Sequence, residues 1–234
     1  MKKSKDKQGA DKEPIVSEKI IEFIQKNRKP IFITAASLLV LLIAAITALS
    51  LMDMFRNKAI AAVEDLNDRY ETLAPSLADE YFEDDVNSLL EELTEFANKH
   101  SGYAGGRAWL LVGRIHAAKK DWALAEAAYA SAARTNSKNY IAPVAWFNAA
   151  AAAEEQGKTA EAIGYYRSSI TTPAVFSAAP RAQFSIGRLH ESLNEDEKAI
   201  EAYHTVISSW SYDQVWAKLA RSRIIALETK TNSD

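Results

Sequence analysis

The chain has 234 residues, 48% of them hydrophobic and 25% charged, with a net charge of −3, no cysteine, eight glycines and six prolines. So few turn formers argue against an all-β fold, and the lack of cysteine removes disulfides, thiolate zinc sites and cysteine nucleophiles together. The near balance of charge hides an asymmetry: residues 1–52 carry nine Lys/Arg against five Asp/Glu, and residues 53–234 carry 19 against 26. Neither part is the strongly basic surface of a nucleic-acid binder.

Residues 1–14 are polar and Lys-rich, with no apolar periodicity, which predicts disorder. Together with the next stretch they form a basic segment, residues 1–30. Within it, residues 15–29 have amphipathic helical spacing. Val16, Ile20, Phe23 and Ile24 share one face, and Lys19, Lys26, Arg28 and Lys29 reach water. Two readings remain open: a helix lying on a membrane surface, or an extension of the segment that follows.

Residues 31–52 contain no charge in 22 positions. As helix they would span roughly 33 Å, enough to cross a hydrocarbon core. Only Thr34, Ser37, Thr47 and Ser50 are polar, too few for the wet face of a soluble helix. Pro30 stands at the start, where a missing N–H costs least. Lys26, Arg28 and Lys29 crowd the N-terminal flank. The bias of Lys/Arg therefore predicts a cytoplasmic N-terminus and an exported remainder. The apolar run exceeds the usual core of a cleaved signal peptide, and Ala48-Leu49-Ser50 is a weak cleavage site, so an uncleaved anchor is expected. A lipoprotein is excluded by the missing cysteine.

Residues 53–104 form an acidic neck. Ala59, Ile60, Val63, Leu66, Tyr70 and Leu73 predict a helix over 56–73 that Pro75 ends. Val86, Leu89, Leu90, Leu93, Phe96 and Ala97 predict a second over 83–99. Between Glu64 and Glu95 stand 12 acidic residues and one basic residue, Arg69. Asp79, Glu80, Glu83, Asp84 and Asp85 suggest calcium, but the D-x-[DN]-x-[DN]-G loop is absent. Acidic residues favoured at a helix N-terminus account for them better.

Ala125 and Tyr129 stand four apart. Ala162 and Tyr166 repeat the pair 37 residues later, and Ala199 and Tyr203 repeat it again. The first copy also has Trp109, Val112, Gly113, His116 and Ala132, beginning after the apparent break at Gly105 and Gly106. The second has Trp146, Ala149, Ala150, Ala153 and Gly157, and the third Ile186, Gly187 and His190. These residues resemble the tetratricopeptide repeat pattern W-x2-L-G-x2-Y, then A-x3-F. The resemblance implies an all-α solenoid of helical hairpins over residues 105–228, closed by a capping helix over 213–227, with a frayed tail at 229–234. The closing proline is missing, the second copy lacks the glycine and the third lacks Trp. The period of 37 implies connections longer than usual.

In that family, positions 2, 5 and 9 of each first helix line the concave face. Carried over, these are Arg107, Leu110 and Arg114; Val144, Phe147 and Ala151; and Arg181, Phe184 and Arg188. The last helix adds Lys218 and Arg221. The resemblance thus implies a basic groove with an apolar floor, suited to the carboxylates of a peptide. Two alternatives stay open. Arg107 and Arg188 could pair with neighbours such as Glu191, or the acidic neck of another copy could fill the groove and give a homo-oligomer.

No phosphate loop, G-x-S-x-G or H-E-x-x-H occurs. His116 and His190 fall on packing positions, and His100 and His204 have no partners at ligand spacing. No enzyme activity, cofactor, metal or nucleic acid is expected. In layout, residues 15–228 resemble the bacterial membrane-anchored ancillary subunits of the SecYEG translocon. By implication the protein sits in the inner membrane through residues 31–52, a single pass with its repeats in the periplasm. It would bind translocon subunits and periplasmic chaperones. The alternative is a scaffold subunit of a periplasmic machine, such as a flagellar motor collar or an envelope assembly complex.

Overall fold

The structure, a computed structural model, describes residues 16–77, 79–135, 138–173 and 175–231. The polar segment 1–14 and the last three residues of the tail lie outside the described residues. Among those described, all regular structure is helical. The chain divides into two units, residues 1–55 and residues 56–234.

The first unit holds α1 (Val16–Lys26) and the front of α2 (Arg28–Leu73). Only Asn27 separates the two helices. Its N–H donates to the Phe23 carbonyl, and its own carbonyl accepts from Ile31, so the helical bonding pattern runs through the break. That favours the extension reading for residues 15–29. Within α2 the apolar side chains of residues 31–55 are exposed, Phe32 by 79% and Ile33 by 68%. The hydroxyls of Thr34, Ser37 and Thr47 each donate to the carbonyl four residues back, at 2.8, 2.9 and 2.9 Å. A helix that hides its few hydroxyls on its own backbone presents almost nothing polar sideways. By length and composition it is able to cross a membrane.

The second unit is a stack. The end of α2 and α3 (Glu83–Lys99) share a core of Val63, Leu66, Tyr70, Val86, Leu89 and Leu93. Then come three hairpins: α4 (Gly102–Ala118) with α5 (Trp122–Thr135), α6 (Ile141–Glu155) with α7 (Thr159–Thr171), and α8 (Ala179–Ser192) with α9 (Asp196–Ser209). The helix α10 (Gln214–Thr231) closes the stack. Each helix from α3 onward packs on the next. No hairpin has a sealed core of its own, because each buries its apolar face against a neighbour.

The Ala–Tyr pairs sit inside. Ala125, Ala162, Ala199 and Tyr203 are fully buried, and Tyr129 and Tyr166 nearly so. Gly113 and Gly187 give two of those rings room. A Cβ there would lie 2.5 Å from the Tyr129 ring and 2.6 Å from the Tyr203 ring. The turn inside each hairpin also repeats. Lys120, Gly157 and Asn194, 37 apart, all have positive φ, at 62°, 71° and 56°. After each of them an N–H, from Asp121, Lys158 and Glu195, reaches back to the carbonyl of His116, Ala153 and His190. This is the bonding of a Schellman ending. These turns take three residues each, whereas the links between hairpins, 136–140 and 172–178, take five and seven. The longer period is therefore spent between repeats.

One expected division needs correcting. Gly105 and Gly106 do not separate neck from stack, since both are buried inside α4, which begins at Gly102. The α3–α4 link is so short that a Cβ on Gly105 would meet the His100 carbonyl oxygen at 2.1 Å. These glycines serve close packing, not a linker. The divisions expected at 30/31 and 52/53 likewise fall within one helix, α2.

Candidate functional site

The residues expected to line the groove belong to α4, α6, α8 and α10. The structure separates them into two groups. Leu110 is corrected outright: it is 2% exposed, sealed in the core with Tyr129, Ala145 and Ala149. The cause lies in the sequence of α6, where those alanines let it approach α4 closely.

Arg107 and Arg114 face the end of α2. Arg107 Nη2 donates to Asn67 Oδ1 at 2.9 Å. The Arg114 guanidinium carbon stands 6.0 Å from the centre of the Tyr70 ring. Burial raises the Tyr70 phenol above its ordinary range, and Arg114 draws it only partly back. Both arginines thus brace the neck against the first repeat. Arg188 is engaged as well, in an ion pair with Glu154 of α6, and not with Glu191. Glu154 also accepts the Tyr166 hydroxyl at 2.6 Å. One repeat on, Glu191 accepts the Tyr203 hydroxyl at 2.9 Å and pairs with Arg223 of α10. The same carboxylate–phenol–guanidinium clip therefore joins α6 to α8 and α8 to α10. In the first repeat its glutamate and arginine places are held by Ala117 and Ala151.

The remaining cations are uncommitted. Arg181, Lys218 and Arg221 are exposed, and none is paired with a carboxylate among the described residues. Arg181 lies over the Phe147 ring, 5.1 Å from its centre, a contact worth about 0.5–1 kcal/mol at an exposed site. Phe147 is half-buried, edge-on to Tyr166 at 5.2 Å and near Phe176 at 5.7 Å. Phe184 lies 5.1 Å from Tyr203 and 5.3 Å from Trp216. Ile225, one helical step beyond Arg221, is 63% exposed. So the open half of the expected groove is an aromatic floor on α6 and α8, with cations on α8 and α10.

Sequence reasoning missed Phe176, which enters from the α7–α8 link, and the partners Glu154, Arg223, Asn67 and Tyr70. The 37-residue spacing of Glu154 and Glu191 was a signal for the clips. Nothing in the pattern marked Phe176, because it lies between repeats. Of the histidines, His116 Nδ1 is 3.5 Å from Asp121 Oδ2, and His190 Nδ1 is 2.6 Å from Glu195 Oε2. Both brace the repeating turns. His100 stacks on Phe96 at 4.1 Å. Among the described residues no group of three His, Asp or Glu is arranged to hold a metal.

Comparison with known proteins agrees with the geometry. Tetratricopeptide-repeat family models match residues 144–172 and 180–209. These ranges cover the second and third hairpins, so the chain carries tetratricopeptide repeats. It is 35% identical over 143 residues to a TPR repeat-containing protein of Treponema pallidum (strain Nichols), an alignment covering 60% of this chain. The chain spans 59% of that relative's length. A crystal structure of kinesin-light-chain TPR-like repeats from Podosopora anserina is similar at 13% identity, with a TM-score of 0.47, covering 74% of this chain and 99% of that one.

Proposed function

We propose that the protein is a membrane-anchored scaffold that holds an acidic, aromatic-bearing segment of a partner protein in the open half of its groove. Tetratricopeptide repeats are protein-interaction modules, which fixes the class. The observation that carries the finer reading is the set Arg181, Lys218 and Arg221 beside Phe147 and Phe184. These cations have no carboxylate to satisfy among the described residues, and the rings are only half covered. Guanidinium forks over an aromatic floor suit carboxylates flanking a ring.

The anchor is α2, crossing the inner membrane through residues 31–52, with the basic flank in the cytoplasm and the stack in the periplasm. The basic flank and the self-bonded hydroxyls of α2 support this reading. In that place the scaffold would work beside the secretion translocon, passing emerging chains to periplasmic chaperones.

The test is capture of bound protein by the full chain in detergent, with a photo-crosslinker at Phe147 or Phe184. Crosslinks to translocon channel subunits or chaperones are expected. A ring-forming envelope assembly recovered without them would favour the machine-scaffold alternative. The double substitution Arg181→Glu with Arg221→Glu should weaken capture at least tenfold at unchanged helicity. Undiminished capture would show that this face is not the site. Arg188→Glu is a poor probe, since it sets a second carboxylate against Glu154 and loosens the stack itself.

A further inference from the structure

The acidic neck has the features that the open groove lacks. A short 3-10 turn, Glu80–Phe82, leads into α3. At its centre Tyr81 is 86% exposed, its ring held edge-on to Phe82 at 5.1 Å and 80°. The Asp79 carboxylate accepts the Tyr81 N–H at 3.0 Å and caps the turn. Glu80, Glu83, Asp84 and Asp85 are exposed around it, and none is in an ion pair among the described residues. Arg69, the one cation between Glu64 and Glu95, is taken by Glu92. The nearby Lys119 donates to Asn87 instead. An aromatic ring is thus presented on a capped turn within a field of free carboxylates.

The open groove is the complement: half-covered phenylalanines ringed by Arg181, Lys218 and Arg221. The neck cannot reach the groove of its own chain. It packs on α4, and the helices α4 to α7 stand between it and α8 and α10 in the order of the stack. Neck and open groove lie at opposite ends of one unit, and a contact between opposite ends can be made only between copies.

We propose that the neck of one copy, led by Tyr81, docks in the Phe147–Phe184 groove of a second copy of this chain. This rests on the reading that the open half of the groove is the binding face. The contact is heterologous, with different surfaces on the two sides, so copies join head to tail into a ring or an open row. The capped turn needs little further ordering to bind, which keeps the cost of docking low. Because unlike charges meet, association should fall as salt rises.

The experiment uses full-length chain in detergent micelles, with mass measured by light scattering and sedimentation across protein concentration. The wild type should self-associate. A neck variant, Tyr81→Ala with Glu83→Gln, Asp84→Asn and Asp85→Asn, should associate at least tenfold more weakly. So should a groove variant, Arg181→Glu with Arg221→Glu. Mixing the two variants should restore a dimer of one each, because one intact neck meets one intact groove. Circular dichroism of each variant checks that it is folded. If either variant proves unfolded, single-cysteine chains replace it. The wild type has no cysteine, so Tyr81→Cys mixed with Ala151→Cys should give a disulfide heterodimer on oxidation. A wild type that stays monomeric, folded variants that associate undiminished, or a mixture or cysteine pair that yields no dimer would each overturn the proposal. If the wild type is monomeric while the groove variant still loses partner capture, the groove reading stands and this inference falls.

Discussion

Burial lifts the phenols of Tyr129 and Tyr203 to about 12, from an ordinary value near ~10. Between those two limits the unfolded chain has lost the protons and the folded chain has kept them. Stability is therefore full below the ordinary value and falls as pH rises toward about 12. Thermal unfolding followed from pH 9 to 12 should show this decline, and Tyr203→Phe should flatten it. The same substitution removes a hydrogen bond to Glu191, worth about 0.5–1.5 kcal/mol, so its neutral-pH midpoint should start lower. Glu126 acts at the other end of the scale. Burial pushes its carboxyl up, but hydrogen bonds from Lys158, Tyr165 and Gln156 outweigh that and hold it below its ordinary value. Its contribution is present at neutral pH and is lost as pH falls through the depressed value. At this scale the sequence was only partly legible. The tyrosines declared themselves as core by their spacing. The groove arginines did not, because position within a repeat says which way a guanidinium points and not which carboxylate waits there. Arg188 and Arg181 occupy equivalent-looking places, yet one is clipped to Glu154 and the other is free of any carboxylate.

The helices were legible almost to their ends, since apolar spacing and the 37-residue period specify both the hairpins and their turns. What spacing could not show was how closely helices approach. Gly105 and Gly106 look like a linker until the short α3–α4 link brings the His100 carbonyl against them. Leu110 looks like groove floor until the alanines of α6 close over it. The turns offer a direct check on the repeat. Gly157 holds a positive φ that Lys120 also adopts, at the strain a side chain suffers there. Gly157→Ala should lower stability by about 1 kcal/mol. Lys120→Gly should relieve comparable strain, offset in part by the freer unfolded chain. Chemical denaturation of each variant reads both. A loss on Lys120→Gly larger than that on Gly157→Ala would mean that the lysine side chain, not the backbone, secures its turn.

For the molecule as a whole, the argument for export can be checked by protease treatment of spheroplasts. The stack should be degraded while a cytoplasmic control survives, and a protected stack would put it on the other side of the membrane. A different property follows from the clips, Glu154 with Tyr166 and Arg188, and Glu191 with Tyr203 and Arg223. Each ties a repeat to the helix after the next one, so the second hairpin, the third and α10 are laced together beyond nearest neighbours. The junction between the first and second hairpins has Ala117 and Ala151 in the places of the ion pair and relies on close packing alone. In a linear array the unit of cooperative opening is set by such couplings. The laced part, α6 to α10, opens as one block with a common amide-exchange rate, and the boundary of that block falls between α5 and α6. Any partner held on Phe147 and Phe184 is therefore gripped by a body that loosens all at once or not at all.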